Sequence, residues 1–211
     1  MIIMPTNNVG PKVREFFGKY PDKIAQLFSP DGWRKPKHKY AIDNGCFKQF
    51  NEKKYLLTLV KSKEFNQPLF ITVPDVVGCH DRTLALWKYY YPILKPYEYP
   101  LAFVAQDGCE LRDVPDTADW IFIGGLNPWK KDNIHKFIGD RPVHVGRVNS
   151  LWMLEYCQSL GVTSVDGTGW MRARGKQYYD FINWFEGNPQ QKLWVEMGEE
   201  DGHKSINNTG S

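Results

Sequence analysis

Four short apolar runs in this chain stop abruptly on a polar residue. They are Tyr40-Ala41-Ile42-Asp43, Phe70-Ile71-Thr72-Val73-Pro74-Asp75, Leu101-Ala102-Phe103-Val104-Ala105-Gln106 and Thr163-Ser164-Val165-Asp166. A strand covered on both faces has this form: a few β-branched or aromatic residues, then a turn. Between the runs lie segments of helical spacing, such as Tyr55, Leu56, Leu59 and Val60 within 52–64. Repeated strand–helix units point to parallel pairing with right-handed crossovers.

Extending this reading gives further strands at 1–4 (closed by Pro5), 120–125, 142–146 and 193–197, eight in all. Helices are expected over 13–28 (interrupted by Pro21), 81–91 (ended by Pro92), 151–160 and 177–185. Ser150 is a suitable N-cap and Gly161 a natural stop for the third of these. Eight units predict an α/β fold closed as a compact TIM-like (β/α)8 barrel, and 211 residues lie near the lower size limit for one. An open doubly wound sheet is the alternative. No G-x-G-x-x-G or P-loop follows the first strand, which weakens its nucleotide-cofactor version. Residues 1–198 are expected to form one domain, and the polar segment 199–211 a disordered tail.

The chain is 42% hydrophobic and 24% charged, ordinary for a globular protein. Its net charge of +3 permits a nucleic-acid partner without requiring one. Aromatic residues reach 15%, mostly core material, with some beside strand ends where a flat base could stack. Cys46, Cys79, Cys109 and Cys157 show no C-x-x-C pairing and no secretory apolar region precedes the first strand, so reduced thiols in a cytoplasmic protein are expected. No run approaches the ~20 apolar residues of a membrane span. His80, His135, His144 and His203 are too scattered to suggest metal ligands, and His144 reads as a structural histidine. No metal or cofactor is implied.

Chemistry concentrates at the strand ends. In order these are Asp43-Asn44-Gly45-Cys46-Phe47, Val73-Pro74-Asp75, Val104-Ala105-Gln106-Asp107-Gly108, Ile123-Gly124-Gly125-Leu126, His144-Val145-Gly146 and Ser164-Val165-Asp166-Gly167. Each has a plain reading too, since aspartates cap turns and glycine pairs mark them. Together, three carboxylates and one amide at successive strand ends suggest a single polar pocket at the C-terminal end of the sheet.

This order of motifs resembles the tRNA-guanine transglycosylase superfamily, including its DNA-acting branch that inserts 7-deazaguanines, over about residues 40–170. The resemblance implies cleavage of an N-glycosidic bond, with Asp166 as nucleophile against the positive charge built on the sugar and Asp43 as proton-transfer partner for the leaving base. Asp75 and Gln106 would recognise the base, Gly124 and Gly125 approach it, and Val145 and Gly146 flank it. The clustered cysteines and histidine of the tRNA-acting members are missing and the chain is much shorter, which favours DNA. Arg147, Arg172, Arg174 and Lys176 would hold phosphates, with Trp170 or Phe47 stacking where a base is extruded. A free base is the implied co-substrate if the base is exchanged. If water takes its place, the protein is a DNA glycosylase, suited to defence against phage with modified DNA. Two other classes stay open: a nucleic-acid-binding barrel without turnover, and a hydrolase of free nucleosides or sugars with a closed pocket and no basic rim.

Overall fold

A computed structural model describes residues 1–5, 11–169 and 175–187. Among them are eight parallel strands: β1 (Ile2–Pro5), β2 (Gln26–Phe28), β3 (Tyr40–Ile42), β4 (Ile71–Thr72), β5 (Leu101–Ala105), β6 (Trp120–Ile123), β7 (Val143–Val145) and β8 (Ser164–Gly167). They form one sheet in the order β1-β8-β7-β6-β5-β4-β3-β2. Ile3 N donates to Lys23 O at 2.9 Å and Ala25 N to Ile3 O at 3.0 Å, which brings the two outer strands together and closes the barrel. The fold is thus the expected TIM-like barrel, with helices α1 (Pro11–Gly18), α2 (Glu52–Ser62), α3 (His80–Leu94), α4 (Asn127–Asn133), α5 (Leu151–Ser159) and α6 (Gly175–Glu186) outside the strands.

Among the described residues, one of the eight strands comes from a segment expected to be helical. Residues 26–28, read as the end of a helix, form β2, because α1 stops at Gly18 and the chain re-enters the sheet after Pro21. Closure comes through that strand, and 193–197 lie outside the described residues, as does the tail 199–211. Helix α3 also runs past Pro92 to Leu94. A proline this close to a helix end forfeits a single internal hydrogen bond, and fully buried Leu94 anchors the last turn in the core. Helix α5 behaves as read: Ser150 accepts from Met153 N, and Gly161 follows with φ +77°.

Side-chain parity divides the interior in two. Met4, Ala41, Ala102, Val104 and Phe122 pack together inside the barrel, while Ile3, Ile42, Phe103, Ile121, Ile123, Val143, Val145 and Val165 pack beneath the helices. Successive residues of a strand face opposite ways. Asp43, Gln106, Gly124, Gly146 and Asp166 share the inward parity of Ala41, Val104, Phe122, His144 and Ser164, and so they are delivered to one end of the barrel. Among the described residues no helix is long and apolar enough to cross a membrane.

Candidate active site

That end of the barrel holds a cavity of about 660 Å³, within the usual size of a small-molecule site. Asp43, Asp75, Gln106, Gly124, Gly146, Arg147 and Asp166 all line it. Gly125 and Val145 do not. Both have the outward strand parity: Val145 packs in the outer core, and the space above the Gly125 Cα is filled by Trp129 and the Asp107 carboxylate. Lys176 is exposed on α6 and ion-paired with Asp180 at 3.0 Å, away from the cavity lining. Trp170, Arg172 and Arg174 lie outside the described residues.

One wall is built from the ends of β3, β4 and β5. The Asn44 amide donates to Val73 O at 2.9 Å and to Asp75 Oδ1 at 2.8 Å. Gln106 Nε2 donates to Asp75 Oδ2 at 2.7 Å, and Gly78 N donates to Gln106 Oε1 at 2.8 Å. Asp75 is therefore gripped through both oxygens, and Gln106 keeps one amide hydrogen for a ligand. Asp43 Oδ2 accepts from Gly45 N at 3.1 Å. Burial, then the charges of Asp75 and Asp166, push the Asp43 carboxyl up to about 7. Burial raises Asp75 as well, against the opposing pull of its amide donors. Cys46 is no competing nucleophile, since burial and the Asp75 charge push its thiol up to about 12.

The facing wall comes from β7 and β8 and is made of donors. Asp166, only 7% exposed, accepts from Arg147 N through Oδ1 at 3.1 Å. Its Oδ2 lies 3.0 Å from His144 Nε2, and His144 Nδ1 lies 2.8 Å from Ser164 Oγ. A Cβ on Gly146 would sit 2.7 Å from the Phe122 ring and 3.4 Å from Asp166 Oδ2, so the β7 exit needs glycine for close approach. Gly124 is constrained likewise by Val104 and the Gln106 amide, at 2.6 and 2.8 Å. Arg147 adopts φ 57°, a conformation costly for a side-chain-bearing residue, which points its backbone N–H at Asp166. Behind the turn, Lys130 of α4 is 1% exposed and donates from Nζ to Gly146 O at 2.6 Å. Burial, with Arg147 nearby, lowers its ammonium to about 8.

The rim is basic. Arg34, Lys48 and Lys54 join Arg147 around the mouth, with Lys54 paired to Asp31 at 2.8 Å. The Arg147 guanidinium sits 4.5 Å from the centre of the Phe47 ring, which is 62% exposed. Asn149 Oδ1 accepts from Thr168 N and Gly169 N, tying the loops after β7 and β8 together.

His144, Lys130 and Asn44 were not assigned to the site from sequence. Parity would have found His144, two residues before Gly146 and in register with Ser164. Lys130 carried no local signal, because its burial follows from how α4 docks. Elsewhere, His80, Cys109 and Asp113 bring three donor atoms within 4.8 Å of one another. Two of these already serve the turn they belong to, Asp113 Oδ2 accepting from Glu110 N at 2.8 Å and Cys109 Sγ contacting Glu110 O at 3.4 Å.

No family model and no curated protein matches this chain. Solved structures similar to it include the tryptophan synthase complex from Pyrococcus furiosus, at 11% identity and a TM-score of 0.49 over 80% of this chain and 86% of that one. A 3-hexulose-6-phosphate synthase is similar at 10% identity and a TM-score of 0.49, over 80% of this chain and 90% of that one.

Proposed function

We propose that this protein is an enzyme that cleaves the N-glycosidic bond of a purine-like or modified base in DNA, through an aspartate nucleophile. The observation that carries the reading is one cavity with three carboxyl groups on its floor, Asp43, Asp75 and Asp166, beneath a rim of Arg34, Lys48, Lys54 and Arg147. A nucleotide within a strand has the complementary arrangement: an electron-poor anomeric carbon and a polar base edge inside, phosphates outside. A free nucleoside or sugar leaves such a rim unused, which disfavours that alternative.

In the proposed reaction Asp166 attacks C1′ and the C1′–N bond breaks. Its electron pair passes to the base nitrogen, which takes a proton from Asp43. A carboxyl held near 7 is half-protonated at neutral pH, as a general acid should be. Asp75 accepts from the base edge, with the remaining Gln106 hydrogen beside it. An incoming base or water then attacks C1′, the ester C–O bond breaks, and the displaced proton returns to Asp43. Exchange by a second base makes the protein a transglycosylase of the kind its motifs resemble; water makes it a DNA glycosylase. Phe47, exposed beside Arg147, would stack where the target base has left the helix.

Mass analysis of bases released from modified and unmodified DNA tests this. Release by the wild type, abolished in Asp166→Ala, is expected. Release that persists in that variant removes the nucleophile assignment, and no release from any DNA removes the reading.

A further inference from the structure

We propose that His144 is a positioning residue for Asp166, donating from Nε2 to the carboxylate so that it leaves readily when the covalent intermediate breaks down. This rests on the reading of Asp166 as nucleophile. The imidazole is 0% exposed inside the barrel, between the Phe122 and Phe70 rings at 4.5 and 5.2 Å. Such a ring never reaches substrate, so any role runs through its two polar contacts. An ionised carboxylate only accepts, hence the hydrogen between them belongs to Nε2. Ser164 Oγ, also fully buried, lies 2.8 Å from Nδ1 and fixes the ring from its other side, accepting from Nδ1 or donating to it according to the tautomer.

The consequence differs for the two halves of the reaction. A donor on Oδ2 stabilises negative charge on Asp166, which disappears when C1′ is attacked and returns when the C1′–O bond breaks. Removing the donor leaves attack possible but makes the carboxylate a poorer leaving group. The glycosyl-enzyme should therefore accumulate. A role confined to packing would slow both halves and accumulate nothing.

The test is denaturing mass spectrometry of the full chain during turnover on DNA, together with kcat and KM, for wild type, His144→Leu, His144→Gln and Ser164→Ala. His144→Leu is expected to lower kcat about 100-fold with little change in KM, the usual scale for loss of one preorganised donor, while the fraction of covalent adduct rises. His144→Gln, which keeps an N–H donor, should restore most of the rate. Ser164→Ala, which removes only one oxygen, should shift both readouts the same way by a smaller factor, and it covers the case in which His144→Leu fails to fold. Wild-type kinetics in Ser164→Ala and His144→Leu, or a lower rate with no added adduct, overturns the proposal while leaving the N-glycosidic reading intact. Wild type that forms no adduct and releases no base overturns both.

Discussion

The two walls of the cavity solve opposite problems. On the β3–β5 side carboxyl groups face one another, and burial with mutual repulsion drives Asp43 toward its protonated form. On the β7–β8 side a carboxylate is met by a backbone N–H, an imidazole and, through the Gly146–Arg147 turn, a buried lysine. The two carboxyl groups thus sit in opposite surroundings, although both belong to aspartates at strand ends of the same barrel. The side chain sets the menu and the wall chooses from it.

The largest expected effect comes from the donor wall: Asp166→Ala should lower base release by about 1,000-fold or more, measured in single turnover. Next, Asp43→Asn on the acid wall should cost about 100-fold, within the range for a general acid, and abolish the fall in rate as pH rises through about 7. If that alkaline limb survives the substitution, the acid lies elsewhere. Lys130→Ala should cost about 2–4 kcal/mol in urea unfolding, since it leaves a void and an unpaired Gly146 carbonyl. A loss within error would mean that the turn holds itself.

Stability against pH should separate the walls in sign. Asp43 binds its proton more tightly folded than unfolded, so its contribution is full below 3.8 and is lost as pH rises to about 7. Lys130 binds its proton less tightly folded, so its contribution is present above 10.5 and is lost as pH falls through about 8. Asp43→Asn should accordingly be more stable than wild type at pH 8, by about 1–3 kcal/mol, with the gain vanishing near pH 4. A gain independent of pH would show that charge is not its source. The smallest shift concerns the pH profile alone: Asp75→Asn removes one of the charges that raise Asp43 and should move the alkaline limb of the rate profile to lower pH. An unmoved limb would break the coupling across the acid wall.

Much of this architecture is legible in one dimension, for a simple reason. A buried parallel strand must be apolar along its length and must stop where its backbone meets water, so Asp43, Gln106 and Asp166 mark strand ends in the bare order of residues. Parity also decides which neighbour turns inward, and it explains why Gly124 and Gly146 line the cavity while Gly125 and Val145 do not. Strand β2 escaped notice because Gln26-Leu27-Phe28 is short, has no β-branched residue and follows a helical segment. Only its pairing with Tyr40, Ala41 and Ile42 makes it a strand.

The amino-acid order alone determined the alternation of strand and helix, and with it the class of fold and the level at which polar side chains emerge. Periodicity is a local property and survives in the linear string. What the tertiary structure decided was which segment closes the barrel, that His144 backs Asp166, that Lys130 is buried, and how tightly Asp43 holds its proton. Those depend on hydrogen bonds and charges between residues far apart in sequence, and on the water excluded around them, which only the folded chain arranges.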